Sequence, residues 1–139
     1  MPQFSLRAID RQRLLDAHPD LQRLAYRLET RGVRFMVNCT HRGRAEQEAA
    51  FASGASRARW GQSPHNFKPS RAMDLSPFAV TAAAYQAITV ADYNALSVDV
   101  MREAVIMGIA LTWGGGFRSF KDRPHYALTG WRDIPGPPE

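Results

Sequence analysis

Residues 63–75, SPHNFKPSRAMDL, join a polar, basic loop to a short apolar stretch. The pattern predicts that His65 lies in the loop and that residues 71–75 form an abbreviated strand with Asp74 near its end. Loops held by a rigid scaffold carry a disproportionate share of binding and catalytic residues. We therefore expect the chemistry of the chain to lie in this loop.

The sequence before this stretch predicts two helices and a strand. Ser5 is placed to cap a first helix, and Pro19 suits the first turn of a second helix that Gly32 ends. The apolar positions of the second helix recur at helical spacing and are expected to be core: Leu21, Leu24, Ala25 and Leu28. Residues 33–39, VRFMVNC, alternate with the period of a half-buried strand.

Two further helices are predicted on either side of the loop. Residues 45–53, AEQEAAFAS, form a short helical pattern that Gly54 ends. Residues 91–107 show the clearest helical spacing in the chain, and Gly108 supplies a C-terminal stop. Residues 79–89 are ambiguous between helix and loop.

The C-terminal part predicts two short strands and a tail. Residues 109–113 and 125–128 have strand-like composition, with a glycine turn at Gly114–Gly116 between them. The tail is expected to be irregular from about residue 130. Because the sequence contains no internal repeat or linker, residues 1–139 are interpreted as one domain.

The composition excludes several classes of protein. The chain has 139 residues, of which 45% are hydrophobic and 22% charged, as is typical of a soluble globular domain, here expected to be a monomer. Cys39 is the one cysteine, so no intrachain disulfide is possible. Cys39 and His41 also lack the spaced partner pair that a tetrahedral metal site would need. No run reaches the roughly 20 apolar residues of a membrane span, so no membrane insertion is expected. The charged N-terminus lacks a signal-peptide pattern, which predicts synthesis in the cytoplasm.

The formal net charge of +5 favours anionic partners, which include nucleic acid, phospholipid headgroups and the acidic polymers of a cell wall. Basic residues outnumber acidic ones between Arg42 and Arg71, with Phe51, Trp60 and Phe67 interleaved. A non-catalytic nucleic-acid-binding module is therefore a second hypothesis, and it predicts salt-dependent binding that survives chelation.

A candidate metal centre follows from two short segments. Zinc peptidases use three nitrogen or carboxylate ligands, an open position and a further group that moves a proton. Residues 63–75 supply His65 and Asp74, and residues 122–126, DRPHY, supply Asp122 and His125. These residues alone define only a candidate, because a histidine is more often a surface or hydrogen-bonded core residue.

The order of four motifs resembles the M15 metallopeptidases, the group of D-Ala-D-Ala carboxypeptidases and L-alanyl-D-glutamate endopeptidases that includes phage endolysins. The motifs are Ser-x-His, Ala-x-Asp-Leu, Trp-Gly-Gly and Asp-x-Pro-His. Upstream, residues 37–56, VNCTHRGRAEQEAAFASGAS, are similar to the family's strand, turn, helix and loop, with Arg42 and Gln47 in matching places. The resemblance implies an α+β fold of the hedgehog/DD-peptidase type, in which helices flank a small antiparallel sheet.

The same resemblance implies roles for individual residues. The zinc ligands fall on His65, Asp74 and His125, and the general base falls on Asp122. Arg42 is expected to bind a substrate carboxylate or to stabilise the oxyanion. Ser63 and Gln47 are interpreted as residues that support a ligand or contact substrate.

The chain departs from the family pattern at several positions. Eight residues separate His65 from Asp74, a longer loop that resembles a phage-associated variant. Gly116 and Phe117 stand where Asp and Trp are commoner, and Ala127 stands near a frequent Glu or Gln. We expect these changes to affect substrate contacts more than metal binding.

The expected activity is hydrolysis of the peptidoglycan stem peptide, most consistent with cleavage of the L-Ala-D-Glu bond by a phage-type endolysin. The longer loop and the predicted cytoplasmic synthesis suit a lysin that acts on the wall after holin-type release. The close alternative is a D-Ala-D-Ala carboxypeptidase. The net charge is expected to attract the enzyme to anionic wall polymers, and no nucleic-acid partner is expected.

Overall fold

The structure, a computed structural model, describes residues 3–139. In this range the α-helices are α1 (Ala8–Leu14), α2 (Pro19–Thr30), α3 (Arg44–Ser53), α4 (Ala82–Gln86) and α5 (Val90–Ile106). The strands are β1 (Phe35–Cys39), β2 (Ala72–Pro77), β3 (Leu111–Trp113) and β4 (His125–Leu128). Short 3-10 turns occupy Pro64–Asn66, Gly114–Gly116 and Trp131–Asp133.

Across residues 3–139 the strands form one antiparallel sheet in the order β1-β2-β4-β3. Strand β2 pairs with β1 on one side and with β4 on the other. In the second pairing Asp74 lies directly opposite His125. The α+β class with a small antiparallel sheet flanked by helices, predicted from the sequence, is confirmed.

Strand β2 separates the core from the site. Helix α5 packs on β2 and β3, and helix α2 packs on α5. Met73 and Leu75 are fully buried in the resulting core. Because side chains alternate along a strand, Asp74 between them projects from the opposite face. The burial of its two neighbours therefore fixes the direction of the Asp74 carboxylate.

Most helix boundaries agree with the predicted stop and start signals. Helix α2 begins at Pro19, and the His18 ring caps it by accepting a hydrogen bond from the Asp20 N–H at 3.0 Å. Gly54 follows α3 with a φ of 81°, a left-handed conformation that glycine adopts at little cost. The ambiguous residues 79–89 contain the short helix α4.

The predicted cap at Ser5 is wrong. Helix α1 begins at Ala8, and its N-cap residue is Arg7. The carboxylate of Asp10 performs the capping, since it accepts hydrogen bonds from the Arg7 N–H and the Arg7 side chain, both at 2.9 Å. It also accepts from the Val37 N–H at 2.9 Å, which ties α1 to β1. The local sequence around Asp10 does not predict its contact with Val37, because the two residues lie far apart in the chain.

Strand β2 is longer than predicted. It continues through Ser76 and Pro77, because these residues pair with Met36 and Phe35 of β1. Asp74 therefore lies inside the strand instead of near its end.

In residues 3–139 no helix combines the length and the apolarity that crossing a bilayer requires.

Replacing Asp10 with alanine is expected to lower the free energy of unfolding by about 2–4 kcal/mol at pH 7. The Asp10 side chain is fully buried, and its loss leaves the Val37 N–H without an acceptor. Urea unfolding measures the change. The control is Asp16→Ala, because the Asp16 side chain is 44% exposed and lies 3.6 Å from Lys68.

The same carboxylate predicts an acid-dependent part of the stability. Burial raises the pKa of Asp10, but hydrogen bonds from Arg7 and from the Val37 N–H outweigh it and hold the pKa below its ordinary value. A depressed pKa stabilises the folded state above the unfolded pKa, about 3.9, and this contribution is lost as the pH falls through the folded pKa. The stability gap between wild type and Asp10→Ala should therefore narrow below about pH 3.9. If the difference in unfolding free energy between wild type and Asp10→Ala stayed constant as the pH fell to the folded pKa of Asp10, this role would be contradicted.

Candidate active site

The loop before β2 holds His65 in one orientation. The Ser63 hydroxyl accepts a hydrogen bond from the His65 N–H at 3.2 Å and caps the turn Pro64–Asn66. The ring atom Nδ1 lies 2.6 Å from the Thr40 carbonyl oxygen. Because a carbonyl can only accept, Nδ1 carries a proton, and Nε2 is the ring nitrogen that faces Asp74 and His125. The His65 side chain is only 3% exposed, so this orientation is fixed by packing as well.

The sheet register brings Asp74 and His125 to the same point. Opposite residues on antiparallel strands have Cβ atoms about 4.5–5.5 Å apart. Asp74 Oδ1 lies 3.1 Å from His65 Nε2 and 3.3 Å from His125 Nδ1, and the two ring nitrogens lie 3.3 Å apart. Three potential ligand atoms from three separate segments therefore converge.

This triangle fits a tetrahedral metal ion. Ligand atoms about 2.0–2.1 Å from a tetrahedral zinc lie about 3.3–3.4 Å from one another. The three separations of 3.1, 3.3 and 3.3 Å are close to that geometry. His65 also donates its other ring nitrogen to a backbone carbonyl, which is the usual arrangement of a ligating histidine.

Cys39 offers a competing ligand set. Its thiol, His65 and Asp74 place one ligand atom each within 4.8 Å of one another. The Cys39 Sγ, however, lies 3.8 Å from the Nδ1 side of the His65 ring, where the proton points to Thr40. A metal held there would have to displace that hydrogen bond. We therefore favour the set His65, Asp74 and His125.

The charges around the triangle favour a cation. Burial raises the pKa of Asp74, but His65 and His125 outweigh it and hold the pKa far below its usual range. Burial lowers the pKa of His65, but the Asp74 carboxylate outweighs it and raises the pKa to about 10. The centre therefore stabilises positive charge where the three ligand atoms meet.

The fold has a counterpart among solved structures, whereas the sequence matches no family model and no curated protein. The crystal structure of the Serratia marcescens L-Ala D-Glu endopeptidase ChiX is similar with a TM-score of 0.75 and 28% sequence identity. The match covers 95% of this chain and 92% of that chain. The chain has an L-Ala-D-Glu endopeptidase-like fold of the M15 type. The family resemblance stated from the motifs is thereby confirmed at the level of fold.

In this endopeptidase-like fold Asp122 lines the same cleft as the three candidate ligands. Its backbone is fixed, since the Asp122 N–H donates to the Gly114 carbonyl at 3.0 Å and its carbonyl accepts from the His125 N–H at 3.1 Å. Burial and the nearby Asp74 carboxylate raise the pKa of Asp122, against the opposite effects of His125, His65 and Arg42. A carboxyl group whose pKa is raised in this way can exchange protons more readily near neutral pH.

The Trp-Gly-Gly motif provides the space for Asp122. A Cβ atom on Gly114 would lie 2.3 Å from the Asp122 carbonyl oxygen and 3.0 Å from the His125 Cβ atom. A Cβ atom on Gly115 would lie 2.1 Å from the Trp113 ring. The Trp113 indole in turn donates to the Arg123 carbonyl at 2.7 Å. The motif therefore positions the segment that carries Asp122 and His125.

Arg42 and Gln47 differ in their access to the site. The Arg42 guanidinium lies 3.8 Å from Asp74 Oδ2 and donates to Gln47 Oε1 at 3.1 Å. Gln47 is fully buried and also donates to Ser56 and Ala58, so it supports the loop and cannot contact substrate. Arg42 borders the open cleft.

Asn66 was not recognised in the sequence, although it directly follows His65. It is fully buried, and its carboxamide oxygen accepts from the Gly61 and Ser63 N–H groups at 3.0 and 3.2 Å. Its amide nitrogen donates to the Arg42 carbonyl and to Gln47, both at 3.1 Å. Its position directly after His65 of the Ser-x-His motif was the signal that the sequence offered.

The family departures lie at different distances from the cleft. Phe117 borders it, with its ring centroid 6.3 Å from that of His125. A Cβ atom on Gly116 would meet open space. Ala127 is 5% exposed inside β4 and does not border the cleft. Of the three, Phe117 is therefore the residue placed to contact a substrate.

Proposed function

We propose that this protein is a zinc-dependent peptidase that hydrolyses the L-Ala-D-Glu bond of the peptidoglycan stem peptide. The observation that carries the proposal is the convergence of His65, Asp74 and His125 beside the Asp122 carboxylate. The fold of an L-Ala D-Glu endopeptidase over 95% of the chain supports the choice of bond.

The three ligands come from rigid elements. His65 is held by Thr40 and Ser63, and Asp74 and His125 are paired across two central strands. A zinc ion held by these three residues would supply a Lewis acid that polarises the scissile carbonyl and would make water a nucleophile near neutral pH. The residues around it bind and orient the peptide.

Asp122 moves the proton. A carboxylate at this position accepts the proton of the attacking water and delivers it to the nitrogen of the departing amine. Burial and the charge of Asp74 bring the pKa of Asp122 up from its ordinary value, which makes both transfers easier near neutral pH.

Arg42 provides positive charge beside Oδ2 of Asp74, whereas the two histidines lie beside Oδ1. Its side chain is 21% exposed, borders the cleft and lies 3.8 Å from Asp74 Oδ2. In this position it limits the rotation of Asp74 and presents a guanidinium to the negative charge that develops on the substrate carbonyl.

Mass spectrometry of a digested muropeptide tests the proposal. Zinc-loaded protein is incubated with a purified muropeptide, and a chelated sample serves as the control. A chelator-sensitive product cut after L-Ala supports the endopeptidase, whereas loss of one terminal D-Ala would replace it with the carboxypeptidase. With no product and salt-dependent nucleic-acid binding that survives chelation, the non-catalytic module would replace both.

The role in phage lysis belongs to this proposal and rests on the resemblance of the long loop to phage-associated relatives. It includes synthesis in the cytoplasm, a monomeric enzyme and release to the wall by a holin. The same proposal assigns the net charge of +5 to attraction by anionic wall polymers.

The charge assignment predicts a difference between two substrates. Lysis of whole walls should slow steeply as salt is added, because salt screens long-range attraction. Cleavage of a small soluble muropeptide should change much less. Turbidity and product assays over the same salt series measure both rates, and equal salt dependence would exclude the charge assignment.

A further inference from the structure

The C-terminal segment, defined here as residues 131–139, forms part of the cleft that holds the candidate metal centre. The cleft has a volume of about 880 Å³. The residues of the segment that border it are Trp131, Arg132, Gly136 and Pro138. They lie in the same cleft as Asp74, Asp122 and His125, so a peptide bound at the metal centre is within reach of this segment.

Arg71 holds the C-terminal segment in place through hydrogen bonds to its backbone. Its guanidinium donates to the Trp131 carbonyl at 3.1 Å and to the Pro135 carbonyl at 2.9 Å. It also lies 3.8 Å from the centroid of the Phe67 ring. Arg71 is only 5% exposed, and within residues 3–139 no carboxylate pairs with it. A buried arginine used in this way fixes the path of the segment.

A second attachment joins the far end of the segment to the loop of the metal centre. The Glu139 N–H donates to the Asn66 carbonyl at 2.8 Å, and the His41 ring contacts the Glu139 carbonyl. Asn66 is the direct neighbour of His65. The segment is thus held at both ends, with Arg132 on the part that borders the cleft.

The cleft carries an excess of positive charge. Its bordering residues include four arginines and two aspartates: Arg42, Arg57, Arg71, Arg132, Asp74 and Asp122. Arg42 lies against Asp74, and Arg71 is occupied by backbone carbonyls. Arg57 and Arg132 each stack on an aromatic ring, 4.4 Å from the centroid of Phe120 and 4.3 Å from that of Trp131, and within residues 3–139 neither pairs with a carboxylate. Both are therefore available to an anionic group of a ligand, and Arg132 is the one that lies on the segment held by Arg71.

We propose that Arg132 binds the free carboxylate of the glutamate on the leaving side of the scissile bond, and that Arg71 positions Arg132. A glutamate that continues the peptide through one carboxyl group keeps the other as an anion. A guanidinium binds carboxylates through paired, charge-assisted hydrogen bonds. This assignment rests on the proposed function, because it requires a glutamate at that position.

Two matched muropeptides test the assignment. They differ only in the free carboxylate of the glutamate, which is converted to a neutral amide in the second. We expect wild type to cleave the acid with a kcat/KM about 10- to 100-fold above that for the amide. Arg132→Gln should remove this preference by lowering the acid value, with unchanged zinc content, and Arg132→Lys should restore part of it.

Two further variants separate positioning from general damage. Arg71→Ala should reduce the preference through a higher KM for the acid, while the kcat for the amide changes little. Arg34→Gln is the matched control, because Arg34 also stacks on aromatic rings, 4.9 Å from the centroid of Phe78, but lies outside the cleft. It should keep the full preference.

The outcomes distinguish this assignment from the proposed function. Equal cleavage of acid and amide by wild type overturns the assignment of Arg132 and leaves the endopeptidase intact. The assignment of Arg132 is also overturned if Arg57→Gln, and not Arg132→Gln, removes the preference for the acid over the amide. Absence of any cut after L-Ala in wild type overturns both.

Discussion

Replacing Asp122 with asparagine is expected to lower the hydrolysis rate by about 100- to 10,000-fold while zinc stays bound. Asparagine keeps the shape of the side chain but cannot take up a proton. Asp122 borders the same cleft as Asp74, His65 and His125, and their charges affect its pKa, as the proposed proton transfer beside a metal requires. The geometry of the ligand triangle should survive the change.

Zinc content and the rate on a soluble muropeptide measure this effect together. The matched comparison is Asp74→Asn, which removes one charge in the same way but alters a ligand, so zinc affinity should fall as well. A loss of zinc from Asp122→Asn would show that Asp122 is a ligand. An unchanged rate would show that another group moves the proton.

Replacing Gly114 with alanine is expected to lower the rate by about 100-fold or more and to weaken zinc binding. The new Cβ atom would lie 2.3 Å from the Asp122 carbonyl oxygen and 3.0 Å from the His125 Cβ atom, so the segment must move. A displacement of about 1 Å of a catalytic group can cost about 100-fold in rate. One methyl group should therefore disturb the base and one ligand together.

Gly116→Ala is the control for this substitution. Nothing lies within 4 Å of a Cβ atom on Gly116, and its φ is not in the left-handed region. Rate and zinc affinity should stay near the wild-type values. If Gly114→Ala retains both as well, the close packing of the Trp-Gly-Gly motif has no functional consequence.

Sequence reasoning was successful where the signal was local or periodic. The Pro19 start, the Gly54 stop and the long helix up to Ile106 follow from side-chain chemistry that acts within one or two helical turns. The three ligand positions came from the family resemblance, and the register of Asp74 opposite His125 gives a physical reason for bringing two of them together.

The remaining features depend on contacts between distant segments. The capping of α1 by Asp10 is coupled to Val37, and Asn66 joins its loop to Arg42 and Gln47. The tail expected to be irregular is held by Arg71, which lies 60 residues before Trp131 in the chain. No local pattern predicts these hydrogen bonds, because each partner alone is compatible with many environments.

Removal and restoration of the metal tests the central claim most directly. The protein is treated with a chelator, dialysed and titrated with zinc while cleavage of a muropeptide after L-Ala is followed by mass spectrometry. The account predicts that cleavage disappears on chelation, returns as zinc approaches about one ion per chain, and does not return in Asp74→Ala. Undiminished cleavage by the metal-free protein would contradict it.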